Sequence, residues 1–243
     1  MRIPRIFHPE PLHANSRVAL SDNAARHVGR VLRLPAGAQV VLFDGSGGEH
    51  PAHIIETGKR ELWVECGERM AVDCESPLAI TLAQGVSKGE RMDYTIQKAV
   101  ELGVTRIAPI DTERSVVNLR GERRDKRMEH WHGVIISACE QCGRNTLPLL
   151  LPMMSYHEWL QQPLTGIGLL LDHRAAMGLS SLEFDGSACT LLIGPEGGLS
   201  EAERGAAEAA GYRGLRLGPR VLRTETAALT ALAAIQSRWG DLG

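Results

Sequence analysis

Aromatic side chains are scarce in this 243-residue chain, with four Trp, three Tyr and three Phe, so Leu, Val, Ile and Ala must fill most of any core. The five cysteines (Cys66, Cys74, Cys139, Cys142, Cys189) are odd in number and scattered, which excludes a disulfide framework. Cys139 and Cys142 form one Cys-x-x-Cys pair with no second Cys/His pair, and no His-x-x-x-His spacing occurs, so no metal site is expected. No apolar run approaches the roughly 20 residues that span a bilayer, and residues 1–11 lack a signal-peptide pattern. A reduced, cytoplasmic protein without membrane contact is expected. Neither sign of charge dominates: the net charge is −2. Wholesale polyanion binding is therefore not announced, although residues 1–35 hold six Arg against Glu10 and Asp22. Hydrophobic residues at 43% and charged residues at 23% exclude disordered and fibrous classes.

What is present falls into two textures. Residues 1–72 read as a small β-barrel: short β-type runs at 38–43, 53–56 and 61–65 are separated by glycine-rich turns, with one helix over 21–32. Residues 73–77 read as a linker. Residues 78–243 read as an α/β domain with a mostly parallel sheet, because strands alternate with helices. The strands are predicted at 78–83, 106–110, 149–151, 167–171, 191–193 and 215–217, and the helices at 90–102, 123–142, 156–161, 201–210 and 225–238. On the long helix, Cys142 continues the apolar stripe and Cys139 falls beside it, which favours packing over redox chemistry.

Two segments carry the chemistry. In the first, a buried strand ending at Ile193 runs through Gly194-Pro195-Glu196-Gly197-Gly198-Leu199 to Ser200 and Glu203, a capping box. The glycines let a backbone approach a ligand and present its N–H groups. Neither a Walker loop nor a Rossmann fingerprint is present. In the second, Leu215-Arg216-Leu217-Gly218-Pro219 leads through Arg220-Val221-Leu222-Arg223-Thr224-Glu225-Thr226 into the last helix. Two strand–Gly-Pro loops 24 residues apart, Gly194 to Gly218, suggest adjacent strands whose loops face one site. Capping by Thr224, with Glu225 favoured by the helix dipole, is the plain reading of the second loop. It leaves Arg220 and Arg223 unexplained, since they oppose the dipole.

These two segments together resemble the RsmE family of bacterial methyltransferases, which belong to the SPOUT superfamily and methylate N3 of a uracil in 16S rRNA. Arg2-Ile3-Pro4-Arg5, His27 to Arg33, Phe43-Asp44-Gly45, Gln97-Lys98 with Glu101-Leu102-Gly103, and Glu140-Gln141-Cys142-Gly143-Arg144 extend the similarity over nearly the whole chain. The resemblance implies a PUA-like RNA-binding barrel, a SPOUT α/β domain with a deep trefoil knot, and a homodimer whose site is completed across the interface. It implies S-adenosylmethionine as cofactor, held by Leu171, His173, Ile193, Gly194, Pro195, Glu196, Gly197, Gly198, Leu217, Gly218, Leu222, Arg223 and Thr226. The partner it implies is 16S rRNA within the small ribosomal subunit, at a uridine of the decoding region.

Methyl transfer from a sulfonium to nitrogen needs the acceptor deprotonated and in line. Arg223 is assigned to stabilise the uracil anion, and Glu225 or Glu196 to take the N3 proton. Arg2, Arg5, His27, Arg30, Arg33 and Arg144 are assigned to RNA, the first five as phosphate contacts. His27, Arg30 and Arg33 share a helix face on three-residue spacing. Glu140, Gln141 and Asn145 would join Arg144 on the RNA side. Two other readings stay open: a related knotted enzyme acting on a ribose 2′-hydroxyl, and an RNA-binding assembly factor without catalysis.

Overall fold

Alternation of inward and outward residues builds the N-terminal strands. β3 (Gln39–Phe43), β4 (His50–Thr57) and β5 (Leu62–Cys66) bury Val40 and Leu42, Ala52 and Ile54, and Leu62 and Val64 in one cluster. The structure, a computed structural model, describes residues 3–58, 61–117, 119–184 and 186–243. It divides into two units, Met1–Glu75 with Ile136–Leu147, and Ser76–Ile135 with Pro148–Gly243.

In the first unit, β1 (Arg5–Phe7) and β2 (Arg17–Ala19) complete a five-stranded sheet of order β1-β3-β4-β5-β2. Only the β1–β3 pairing is parallel. Ile6 of β1 and Val18 of β2, at the two edges, reach the same core as the central strands, so the sheet curls around it. At three residues each, these strands are too short for a period-2 signal. Helix α1 (Asp22–Arg26) is capped by Ser21, which accepts from the Ala24 N–H at 3.3 Å. It continues as one π-helical turn, His27–Val31, closed by Leu32 N–H to the His27 carbonyl at 2.9 Å. The wider turn breaks three-residue stacking, and Arg33 lies beyond it at φ 54°. The single face expected for His27, Arg30 and Arg33 is therefore not formed, although all three are exposed.

The second unit holds β6 (Ala79–Gly85), α2 (Glu90–Glu101), β7 (Arg106–Asp111), β8 (Leu149–Leu150), β9 (Met154–Ser155), α4 (Tyr156–Leu160), β10 (Ile167–Leu171), β11 (Ala188–Ile193), α5 (Glu201–Ala209), β12 (Arg213–Leu215) and α6 (Thr224–Trp239). The long helix α3 (Glu122–Cys142) begins in this unit and ends in the first. The sheet order is β12-β10-β11-β6-β7-β8, with β9 also on β7, and every pairing is parallel. On one face Ala83, Leu170 and Leu192 pack with Tyr156 and Trp159 of α4 and Ala207 of α5. α2 and α6 pack together on the sheet, α6 lying against β11.

Two expectations need correction. The last strand ends at Leu215, two residues before the predicted end, and is an edge strand with Arg213 and Arg216 exposed. Nor are the two loop-bearing strands neighbours, because β10 lies between β11 and β12. Their loops still meet. Residues 216–223 leave the sheet edge and return to its middle, where Thr224 hydrogen-bonds Gly194.

Candidate cofactor cavity and its rim

Parallel strands place all their carboxyl ends on one edge, and the ends of β10, β11 and β12 surround a cavity of about 500 Å³. Gly85 ends β6 under this cavity. A Cβ there would lie 2.5 Å from the Pro195 nitrogen, so only glycine lets the Gly194-Pro195 backbone pass.

Three polar groups fix the entrance of the loop. The buried Gln84 donates from Nε2 to Thr224 Oγ1 at 2.8 Å, and Thr224 Oγ1 donates to the Gly194 carbonyl at 2.6 Å. Thr224 is thus not the cap of α6: Arg223 is the N-cap residue, with no side-chain cap bond. The first-turn N–H groups of α6 are consequently left without a side-chain acceptor. Sequence reasoning missed Gln84; the signal was a lone amide at the end of a strand otherwise buried on both faces.

The rest of the loop is held from three sides. Glu196 accepts from the Lys88 N–H and from Arg91 Nη1, both at 2.9 Å. Arg114 Nη1 donates to the Gly197 carbonyl at 3.2 Å, and its Cβ sits where a Gly197 side chain would go. Arg204 of α5 donates to the Leu199 carbonyl at 2.7 Å and pairs with Asp172, after β10, at 3.4 Å. Ser200 and Glu203 form the expected capping box. Burial alone would raise the Glu196 carboxyl. Its hydrogen bonds from its own backbone and from Lys88, with the Arg91 guanidinium, outweigh burial and hold it below the ordinary carboxylate range. An anion so engaged is a weak proton acceptor.

Of the residues assigned to cofactor and catalysis, Leu171, His173, Ile193, Gly194, Pro195, Glu196, Gly197, Gly198, Leu217, Leu222, Arg223 and Glu225 line the cavity. Gly218, at φ 75°, lines a separate shallow groove, and Thr226 is exposed outside the cavity. Glu225 Oε2 is buried and, among the described residues, has no hydrogen-bond partner. That orphaned acceptor, the glycine-lined wall and the apolar Ile193, Leu217 and Leu222 suit an amphipathic ligand with donors of its own. Arg91, Arg114, Arg174 and Arg204 also line the cavity and were not foreseen.

Comparison with known proteins agrees with this geometry. The RNA methyltransferase domain family matches residues 74–236 and the RNA methyltransferase PUA domain family matches residues 20–65. The ribosomal RNA small subunit methyltransferase E of Neisseria gonorrhoeae, solved bound to S-adenosyl methionine, is 42% identical, with a TM-score of 0.92 over 100% of both chains. The chain belongs to the small-subunit rRNA methyltransferase E (RsmE) family. A Legionella pneumophila methyltransferase solved with bound SAM is 40% identical, with a TM-score of 0.97 over 100% of both chains. The Buchnera aphidicola (Acyrthosiphon pisum) family member is 32% identical over 99% of this chain and 95% of its own length.

Within this RsmE-family chain, the residues assigned to RNA separate into two groups. Arg2 lies outside the described residues. His27, Arg30 and Arg33 are exposed and able to meet phosphates. Arg5 and Arg144 are not. Arg5 pairs with Glu49, donates to Asn145 Oδ1 at 2.5 Å and lies 4.9 Å from the Phe43 ring centroid. Arg144 is 4% exposed and pairs with Glu75 through two guanidinium nitrogens. Asn145 is buried, and Glu140 accepts the Phe7 N–H at 3.0 Å. These groups bind the 136–147 segment to the strands of the first unit. The cysteine positions also reverse: Cys139 is fully buried, with its thiol pushed up by burial to about 12, while Cys142 is half-buried. Among the described residues, no group of three His, Cys, Asp or Glu could hold a metal ion, and no helix is long and apolar enough to cross a membrane.

Proposed function

We propose that this chain transfers the methyl group of S-adenosylmethionine to N3 of a uridine in the 16S rRNA of the small ribosomal subunit. The observation that carries the proposal is the start of α6, where Arg223 and Glu225 line the cavity together and one Glu225 oxygen is buried without a partner among the described residues. Bound in the cavity, S-adenosylmethionine supplies a methyl carbon that is already electrophilic. Ile193, Leu217 and Leu222 would hold its apolar parts, while the glycine-rich backbone of residues 194–198 would leave room for its polar groups. Glu225 accepts the uracil N3 proton. Arg223, always charged, stabilises the negative charge left across N3 and the carbonyl oxygens. Arg223 and Glu225 would thus present a deprotonated N3 to that methyl group. Glu196 holds the loop to Lys88 and Arg91 rather than moving a proton. The protein acts in the cytoplasm as a homodimer, and the PUA-like unit presents His27, Arg30 and Arg33 to the RNA.

Unmethylated small subunits incubated with the protein and labelled S-adenosylmethionine yield 3-methyluridine, read as a nucleoside by mass and retention. A 2′-O-methylated nucleoside would replace this reading with the ribose-directed one. A folded protein with no cofactor binding by calorimetry would leave an RNA-binding assembly factor.

The Glu196 clamp also sets a pH dependence. Its carboxyl titrates below the ordinary range when the loop is in place, so the clamp is complete above the unfolded value and is lost only as pH falls through the lowered one. Cofactor affinity measured by calorimetry is expected to stay flat through neutral pH and to fall only beneath the usual carboxylate range. In Glu196→Gln this acid limb disappears and affinity is uniformly lower. An unchanged acid limb in that variant would remove the clamp from the account.

A further inference from the structure

The cavity carries more positive charge than its cofactor explains. Six arginines line it against three carboxylates, Asp172, Glu196 and Glu225. Arg91 and Arg204 are paired with Glu196 and Asp172. Among the described residues, Arg114, Arg174, Arg220 and Arg223 form no ion pair; Arg114 bonds only the neutral Gly197 carbonyl. S-adenosylmethionine, with a sulfonium, an ammonium and one carboxylate, is itself a net cation, so these free guanidiniums repel it more than they hold it. Arg223 has a role in the chemistry. The other three come from three different loops, after β7, β10 and β12, and all three are exposed. Two of their backbones are fixed. Residues 112–115 close a turn, with Ser115 N–H to the Thr112 carbonyl at 3.0 Å, and Arg174 N–H is held by Asp172 Oδ1 at 2.9 Å. A ring of exposed guanidiniums with no ion pair among the described residues suits a flexible polyanion more than a cation.

We propose that Arg114, Arg174 and Arg220 bind the RNA phosphates flanking the target nucleotide. The catalytic unit would thus grip the backbone itself, independently of the exposed cations of the PUA-like unit. This rests on the functional reading above and adds the residues that seat the substrate.

The test is the double variant Arg174→Gln, Arg220→Gln, with Arg114 kept because it also holds the Gly197 carbonyl, assayed with unmethylated small subunits at fixed Mg²⁺ and varied monovalent salt. Two removed phosphate contacts predict that the slope of log affinity against log salt becomes shallower by roughly 1.4, at about 0.7 per single-strand phosphate. The RNA KM is expected to rise at least tenfold at physiological salt, with S-adenosylmethionine affinity held within about threefold and the thermal midpoint unchanged. An unchanged slope with wild type active overturns the inference alone. A loss of cofactor affinity equal to the loss of RNA affinity assigns the arginines to the cofactor and overturns it as well. Wild type that transfers no methyl group to the subunits overturns the functional reading, and the inference with it.

Discussion

Arg223→Ala is expected to lower kcat for methyl transfer by about 10²–10³-fold, the usual cost of removing one group aimed at developing charge. The variant should leave the fold alone. Arg223 is the N-cap residue of α6 but makes no side-chain cap bond, and it is exposed, so Ala removes no hydrogen bond from the helix. Thr224 continues to bond Gly194, so the cofactor loop keeps its entrance. Cofactor affinity is expected to move far less than kcat. Arg223→Lys restores only part of the rate, because an ammonium keeps the charge but not the planar fork that spans N3 and a neighbouring carbonyl oxygen. Single-turnover rates at saturating cofactor, with calorimetry on the same preparations, decide the matter. An unchanged transfer rate at normal cofactor affinity would remove Arg223 from the chemistry.

Arg144→Met should destabilise the protein by roughly 3 kcal/mol, the lower part of the range for breaking a buried ion pair. Arg144 is 4% exposed, and its guanidinium contacts Glu75 through Nε and Nη2. Methionine fills the space but strands the Glu75 carboxylate. The double variant Arg144→Met, Glu75→Leu should recover most of the loss, since no charge is then left uncompensated. Arg30→Ala, on the exposed π-turn, serves as the contrast and should shift stability by less than about 0.5 kcal/mol. Urea unfolding reads all three. A midpoint unchanged in Arg144→Met would mean that the pair holds nothing and would return Arg144 to the candidates for RNA contact.

The ion pairs of Arg5 and Arg144 within the protein show where sequence reasoning stopped. Sequence reports that a residue is charged, not whether a carboxylate waits for it: Glu49 and Glu75 lie 44 and 69 positions away from their partners. The helices and buried strands of the second unit were legible because each repeats its period several times. β11 reads as a continuous apolar run, and α5 announces its start with Ser200 and Glu203. β1 and β2 were not legible, having three residues each. The two Gly-Pro loops were rightly brought to one cavity, but for a wrong reason. Adjacency was inferred from spacing, whereas β10 separates the strands and the loop after β12 reaches across it. Gln84 escaped because its partner, Thr224, lies 140 residues further on.

That 140-residue separation bears on when the protein becomes competent. Gln84 is made early and has the neighbouring Gly85 carbonyl as an acceptor, but its bond to Thr224 waits until residue 224 has been made. Until then the Gly194 carbonyl lacks the short bond from the Thr224 hydroxyl, and the third wall of the cavity, from Leu217 to Thr224, does not exist. A nascent or C-terminally truncated chain therefore holds the first two loops in a sheet with no donor pocket. Cofactor binding is thereby tied to residues 217–224, and a chain cut before Thr224 is expected to lose it even with Gly194–Gly198 intact.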